Sequence, residues 1–385
     1  MKKGILLSSF MLLFLVLNAA PIIKDSISVN KRIHLLNLIT QLQIKNDGTV
    51  LQGSFPSTRK YFYSQRLKQE DNVFFTSLIL WNLGQYEKKM THGELSIFTQ
   101  AKSNALPYIE RFKNNKNNLT YNFWPRNPAQ IFPNGGWLNL FNEKFALADD
   151  IDDAAITWLA LGLIDSIAIK LQSKFSDYSV GKIKRNRSFY KVYNHWPVYS
   201  TWLGHKMPKD VDLSVLSNVL LMHTKANIPF NTNDSASLNL IVELVRKNKH
   251  LSDPKYVSQH YANSATIIYH VARLIYFSNN PDLLSLKPIL LNQAKQLLEQ
   301  TNAPIEKLLL NTSILRLGER IDFPDGVDEQ TLQVNDYPYF VANIASVLNN
   351  PFKRIVNKSN IVRFDYYSYA FNLSLLYENL MLRED

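Results

Sequence analysis

Four carboxylates fall within five positions, at Asp149, Asp150, Asp152 and Asp153, immediately ahead of the apolar run Ala154-Ala155-Ile156-Thr157-Trp158. A helix start uses one acid as a cap and gains from one more in its first turn, because its free N–H groups and its dipole are positive there. Four exceed that need. Carboxylates held this close repel one another, so at least one keeps its proton toward neutral pH. Asp150 and Asp153 are three apart and share a helix face, whereas Asp152 points elsewhere. Two chemistries follow: a Brønsted acid held by neighbouring carboxylates, or a seat for a hard divalent ion such as magnesium on Asp149, Asp150 and Asp153. Capping plus solvated acids is the plain structural alternative. A second acidic pair, Asp210 and Asp212, opens another apolar segment. Set across a cleft from Asp152 or Asp153, it would supply the second carboxylate of a glycoside hydrolase or lyase, whereas a pocket without a working acid would make the protein a non-catalytic ligand- or partner-binding one.

Aromatic loops accompany these acids. Tyr121-Asn122-Phe123-Trp124-Pro125 and Phe132-Pro133-Asn134-Gly135-Gly136-Trp137 precede the first acidic cluster, and Asn194-His195-Trp196-Pro197 and Thr201-Trp202-Leu203-Gly204 precede the second. Trp124, Trp196 and Trp202 suit a small apolar or glycan ligand, or else cover the ends of the core. Other chemistries are excluded more firmly. There is no cysteine, so thiolate catalysis and thiolate-bound metals are ruled out. Gly-x-Ser-x-Gly, His-Glu-x-x-His and Gly-x-x-x-x-Gly-Lys do not occur. His195 and His205 are ten apart, and His260 and His270 lie on one helical segment; neither spacing is that of paired metal ligands, so surface or core histidines are expected. Asn263 and Tyr269 read as polar wall residues.

The elements that must position these groups are helical. Segments 72–83, 150–164, 210–222, 258–276 and 366–381 are apolar over most of their circumference, which predicts buried helices. Segments 92–112, 235–247, 281–300 and 304–317 show a polar face and read as an outer layer. A further inner helix is expected at 339–348. Several inner helices start with acids or amides (Asp71-Asn72, Asp149–Asp153, Asp210 with Asp212), which places those side chains at one common end. The expected fold is all-α, about six helical hairpins stacked into an α/α toroid over 61–385 as a single domain, with 21–60 as a lead-in.

Residues 1–20 combine Met1-Lys2-Lys3, an apolar run and the small Asn18-Ala19-Ala20, the layout of a cleaved secretory signal, so an exported protein, periplasmic or secreted, is expected. The formal net charge is +11, and Lys182, Lys184, Arg185, Arg187 and Lys191 concentrate part of it in one segment. With export, that segment reads as a solvated loop or a contact for anionic lipid or glycan rather than for nucleic acid.

Asp150-Ile151-Asp152-Asp153-Ala154-Ala155 resembles the Asp-x-Asp-Asp motif of the class II terpene cyclases, members of the α/α toroid superfamily that also holds the protein prenyltransferase β subunits. The resemblance implies a toroid with the motif at an inner-helix start and Asp152, the middle acid, protonating an alkene or epoxide with Asp150 and Asp153 in support. No cofactor is required for that chemistry. His195, Asn218 or Tyr121 would aim its proton. Asp149-Asp150-Ile151-Asp152-Asp153 also resembles the Asp-Asp-x-x-Asp of class I prenyl enzymes, which hold magnesium diphosphate, and Asn233-Asp234 with Ser237 half meets their companion pattern.

Overall fold

The computed structural model describes residues 29–384 apart from 46, 47, 50, 65, 115, 117, 118, 126–146, 182–186, 205, 206, 335, 336, 361 and 362. The apolar leader, the loop at 132–137, His205, Lys182, Lys184 and Arg185 therefore lie outside the described residues.

Helix α1 covers 29–42 and is followed by strands β1 (Ser57–Tyr61) and β2 (Leu67–Glu70). The first half continues with α2 (Val73–Gly84), α3 (His92–Glu110), α4 (Ile151–Leu161), α5 (Asp165–Asp177), α6 (Leu213–Lys225) and α7 (Thr232–Arg246). Two short helices, α8 (Lys249–Ser252) and α9 (Pro254–Val257), lead into α10 (Ser264–Phe277). Then come α11 (Pro281–Leu284), α12 (Lys287–Gln300), α13 (Pro304–Arg316), β3 (Phe340–Asn343), α14 (Phe352–Ser359), β4 (Arg363–Tyr367) and α15 (Tyr369–Arg383).

The side chains of α2 from Val73 to Leu83 are all buried, as an all-round apolar helix requires. It packs on α4, α4 on α6, α6 on α10, α10 on α13, α13 on α15, and α15 back on α2, so the order of contacts closes on itself. Helices α3, α7 and α12 lie against α2, α6 and α13 respectively. The polar residues that open the inner helices are their caps. Asn72, Asp150, Asp212 and Ser368 each accept a backbone N–H of the helix they precede, replacing a partner those amides would otherwise lack.

Two expectations are corrected and one is qualified. The chain is mostly helical, as the all-α expectation has it, but it also carries a small antiparallel sheet in the order β2, β1, β4, β3. Its β1 buries Ser57 and Arg59, the latter paired with Glu70 at 2.9 Å, so polar residues fill the inward positions and hide the strand's two-residue period. Residues 339–348 are not a sixth inner helix but β3 followed by a 3₁₀ turn at Ile344–Val347; a short apolar run is ambiguous between the two structures until a partner strand is known. Residues 304–317 are not an outer helix. Asn311, Thr312, Ser313 and Arg316 of α13 look like a solvated face, yet all are buried. Asn379 of α15 donates to Asn311 and Thr312 at 2.9 Å each, and Arg316 pairs with Glu378.

Candidate functional site

At the start of α4 the four acids separate into distinct environments. Asp149 lies just before the cap and is tied outward, its Oδ2 accepting from Thr120 (2.6 Å) and Asn114 (2.5 Å). Asp150 is the cap itself, accepting the backbone N–H of Asp153 at 2.7 Å. The Asp152 Oδ1 accepts from Asn218 Nδ2 of α6 at 2.7 Å, and its Oδ2 accepts from the Tyr261 hydroxyl ahead of α10 at 2.5 Å. The Oδ2 of Asp153 is buried without a hydrogen-bond partner among the described residues.

Their protonation follows from these surroundings. Burial, then the charge of Asp150, pushes the Asp152 carboxyl up to about 7 against the two donors that favour its anion. Burial and the adjacent Asp150 push Asp153 well above the usual carboxylate range. Asp150 is also raised by burial, with its hydrogen bonds from Asp153 opposing. Burial and mutual repulsion thus favour the protonated forms of Asp150, Asp152 and Asp153 at the start of α4.

The second acidic pair behaves differently. Asp212 caps α6, its Oδ1 accepting from Ser214 N, Val215 N and the Ser258 hydroxyl and its Oδ2 from His260 N. Asp210 is ion-paired with the buried Lys353 of α14 at 3.0 Å and faces His260 Nε2 at 3.3 Å, with Gln259 also donating to it. Burial alone would raise Asp210, but Lys353 and His260 hold it below the usual range. Burial lowers His260, but the Asp210 hydrogen bond together with the charges of Asp210, Asp212 and Asp150 outweighs it and leaves the imidazole raised.

Aromatic rings surround the Asp152–Tyr261 bond. The Tyr261 ring lies 4.4 Å from that of His270, 5.7 Å from Tyr339, 5.8 Å from Phe340 and 6.2 Å from Phe74. Phe340, on β3, stacks on Phe123 and on His260. The sheet delivers this ring to the helix ends, and β3 is fixed to the site loop by Val341 N donating to His260 O. His270 is pushed well below its ordinary range by burial, so its Nε2 stays a neutral acceptor for Tyr339 Oη at 3.2 Å.

One turn deeper, Arg273 Nη2 donates to Asn218 Oδ1 at 2.6 Å. Asn218 therefore has its carbonyl oxygen on a guanidinium and its NH₂ on Asp152, which fixes the orientation of the amide. Arg273 is fully buried, and its Nε and Nη1 have no hydrogen-bond partner among the described residues.

Of the residues singled out in the sequence, Asp150, Asp152, Asp153 and Asn218 meet here, and Trp202 joins them through its backbone bridge to Asp150 and an edge-to-face contact with His260. Trp124 instead donates to Glu70 at 2.8 Å, and Tyr121 packs edge-on against Trp158. His195 is exposed beside Asn194, and Trp196 packs on Tyr193. Neither His195 nor Tyr121 supplies the bonds that hold Asp152. Asp234 belongs to a capping box with Asn231 and accepts from Tyr199 and His223. Among the described residues no three acidic or histidine side chains are grouped as metal ligands.

Nothing in the sequence pointed to Tyr261, Phe340, Arg273 or Lys353, and His260, expected as a surface or core histidine on the helical segment, lies ahead of α10 beside Asp210. The run Ser258-Gln259-His260 is the one local signal, a polar stretch that ends the apolar pattern and shows α10 to start only at Ser264. Lys353 is 143 positions from Asp210 and had none. Compared with protein-family models, curated proteins and solved structures, the chain matches none of them, so the site is read from its own geometry.

Proposed function

We propose that the closed order of inner helices is an α/α toroid and that the protein is an acid-initiated, terpene-cyclase-like enzyme acting on an isoprenoid-like apolar substrate. The observation that carries this reading is Asp152: a buried carboxyl poised at about 7, oriented by Asn218 and Tyr261, beside a wall of aromatic rings. The two donors occupy one acceptor direction on each oxygen and leave others for the acid proton. That proton adds to one carbon of a substrate double bond, and the electron pair of the bond becomes the new C–H bond. The adjacent carbon is left as a cation. Rings such as Phe74, Phe123 and Phe340 present negative faces, which stabilise a cation where water is excluded. Loss of a proton from the cyclised cation closes the reaction with no net gain or loss of atoms.

A glycosidase draws less support, because Asp210 is committed to Lys353 and Asp212 to capping α6. The test is incubation of the full chain with polyprenyl substrates in deuterated water, followed by mass spectrometry. One carbon-bound deuterium per product is expected, and Asp152→Asn should lower turnover about a thousandfold or more. Undiminished turnover in that variant would overturn the reading.

A further inference from the structure

A surface cavity of about 570 Å³ opens between α8, α9 and α14, far in character from the acidic site. Lys249, Lys255, Arg354 and Lys358 line it against a single carboxylate, Asp253. That carboxylate accepts from the Tyr190 hydroxyl at 2.9 Å. Arg354 lies over the Tyr256 ring at 4.6 Å and the Tyr190 ring at 5.4 Å, which holds the guanidinium at the cavity wall without neutralising it. The concavity thus carries an uncompensated positive charge and a fixed planar donor suited to a phosphate oxygen.

The helix that supplies half of these cations has three sectors. Lys353 and Asn357 are buried, Lys353 in its ion pair with Asp210 and Asn357 in the cavity wall. Arg354 and Lys358, one turn apart, face the cavity. Phe352 and Ile355 face outward at 65% and 61% exposure, an unusual position for residues of this size. Cations around a concavity with large apolar side chains beside it are the composition of an interfacial helix, with charge for headgroups and hydrocarbon for the acyl boundary. A soluble phosphate or an anionic glycan would use the cations and leave Phe352 and Ile355 without a role.

We propose that this face binds the phosphate-bearing headgroup of an anionic phospholipid at a membrane surface, the cavity taking the phosphate and Phe352 and Ile355 entering the acyl boundary. The test is sedimentation of the full chain with vesicles of phosphatidylcholine alone or mixed with phosphatidylglycerol. Binding is expected to the mixed vesicles only. Arg354→Ala with Lys358→Ala should weaken it on the order of tenfold, and Phe352→Ser with Ile355→Ser should weaken it comparably while circular dichroism stays unchanged. Equal binding to neutral vesicles, or unchanged binding by the charge variant, would overturn the proposal. Retention on heparin without vesicle binding would replace it with an anionic glycan, and stabilisation by inorganic phosphate alone with a soluble phosphate. All readouts are binding, so they stand or fall separately from turnover at Asp152.

Discussion

Asp152 and Asp210 are both buried carboxylates at inner-helix starts, yet burial wins at one and loses at the other. Asp152 is met by two neutral donors and by the neighbouring charge of Asp150, whereas Asp210 is met by the Lys353 ammonium and by His260, whose charged form it favours. Neutral donors offset only part of the desolvation of an anion; an opposite charge in contact offsets more. Tyr261→Phe should therefore raise Asp152 further, since it removes a bond to the charged form. The alkaline limb of a pH–rate profile should move up by about one unit. The same carboxyl shapes stability. Its folded value lies above its unfolded value near 4, so the stability it contributes is fully present below about pH 4 and is lost as pH rises toward 7. In Asp152→Asn that loss disappears. Urea unfolding should show the variant gaining on the wild type between pH 4 and pH 7, by up to about 4 kcal/mol.

Element by element, the helix interiors were legible because their apolar circumference states their burial directly. The acid cluster at 149–153 was legible for a similar reason: more carboxylates than one helix start can use. What escaped was polar and non-local. On α13, Asn311 and Arg316 appear solvated until Asn379 and Glu378 of α15 are known to face them. Phe340 carried no sign of belonging to the site, because only the pairing of β3 with β4 and the bond from Val341 to His260 bring it there. Helix α14 joins two sites through Lys353, whose charge is buried on one side while Arg354 and Lys358 face the cavity on the other. Lys353→Met should cost about 3 kcal/mol, because Asp210 loses its nearest cation in a buried place. Calorimetry at neutral pH would show it as a lowered Tm. The loss should shrink at acid pH, where the variant's Asp210, freed of the Lys353 charge, takes up a proton.

For the whole molecule, the described contacts run from α2 through α4, α6, α10, α13 and α15 and return to α2. Such a circuit has no free end, and the last contact, α15 on α2, joins elements nearly three hundred positions apart, as the bond from Asn82 to Ser374 shows. The buried pair Arg316–Glu378 joins α13 to α15 in this circuit. Arg316→Met should destabilise by about 3–5 kcal/mol by leaving Glu378 buried without its cation. Because each helix is held by two neighbours, ellipticity and tryptophan fluorescence should fall together in that variant as in the wild type. Separate transitions would show that the circuit breaks into independently stable parts. Among the described residues no helix is long and apolar enough to cross a membrane.

The carboxyl carbon of Asp152 reports most directly on a proton held at the start of α4. In protein labelled with ¹³C at the aspartate carboxyl, the resonance missing from Asp152→Asn identifies the group, and its shift is followed against pH. A midpoint near 7 is expected, moving up in Tyr261→Phe. A midpoint near 4, with no response to Tyr261→Phe, would contradict it.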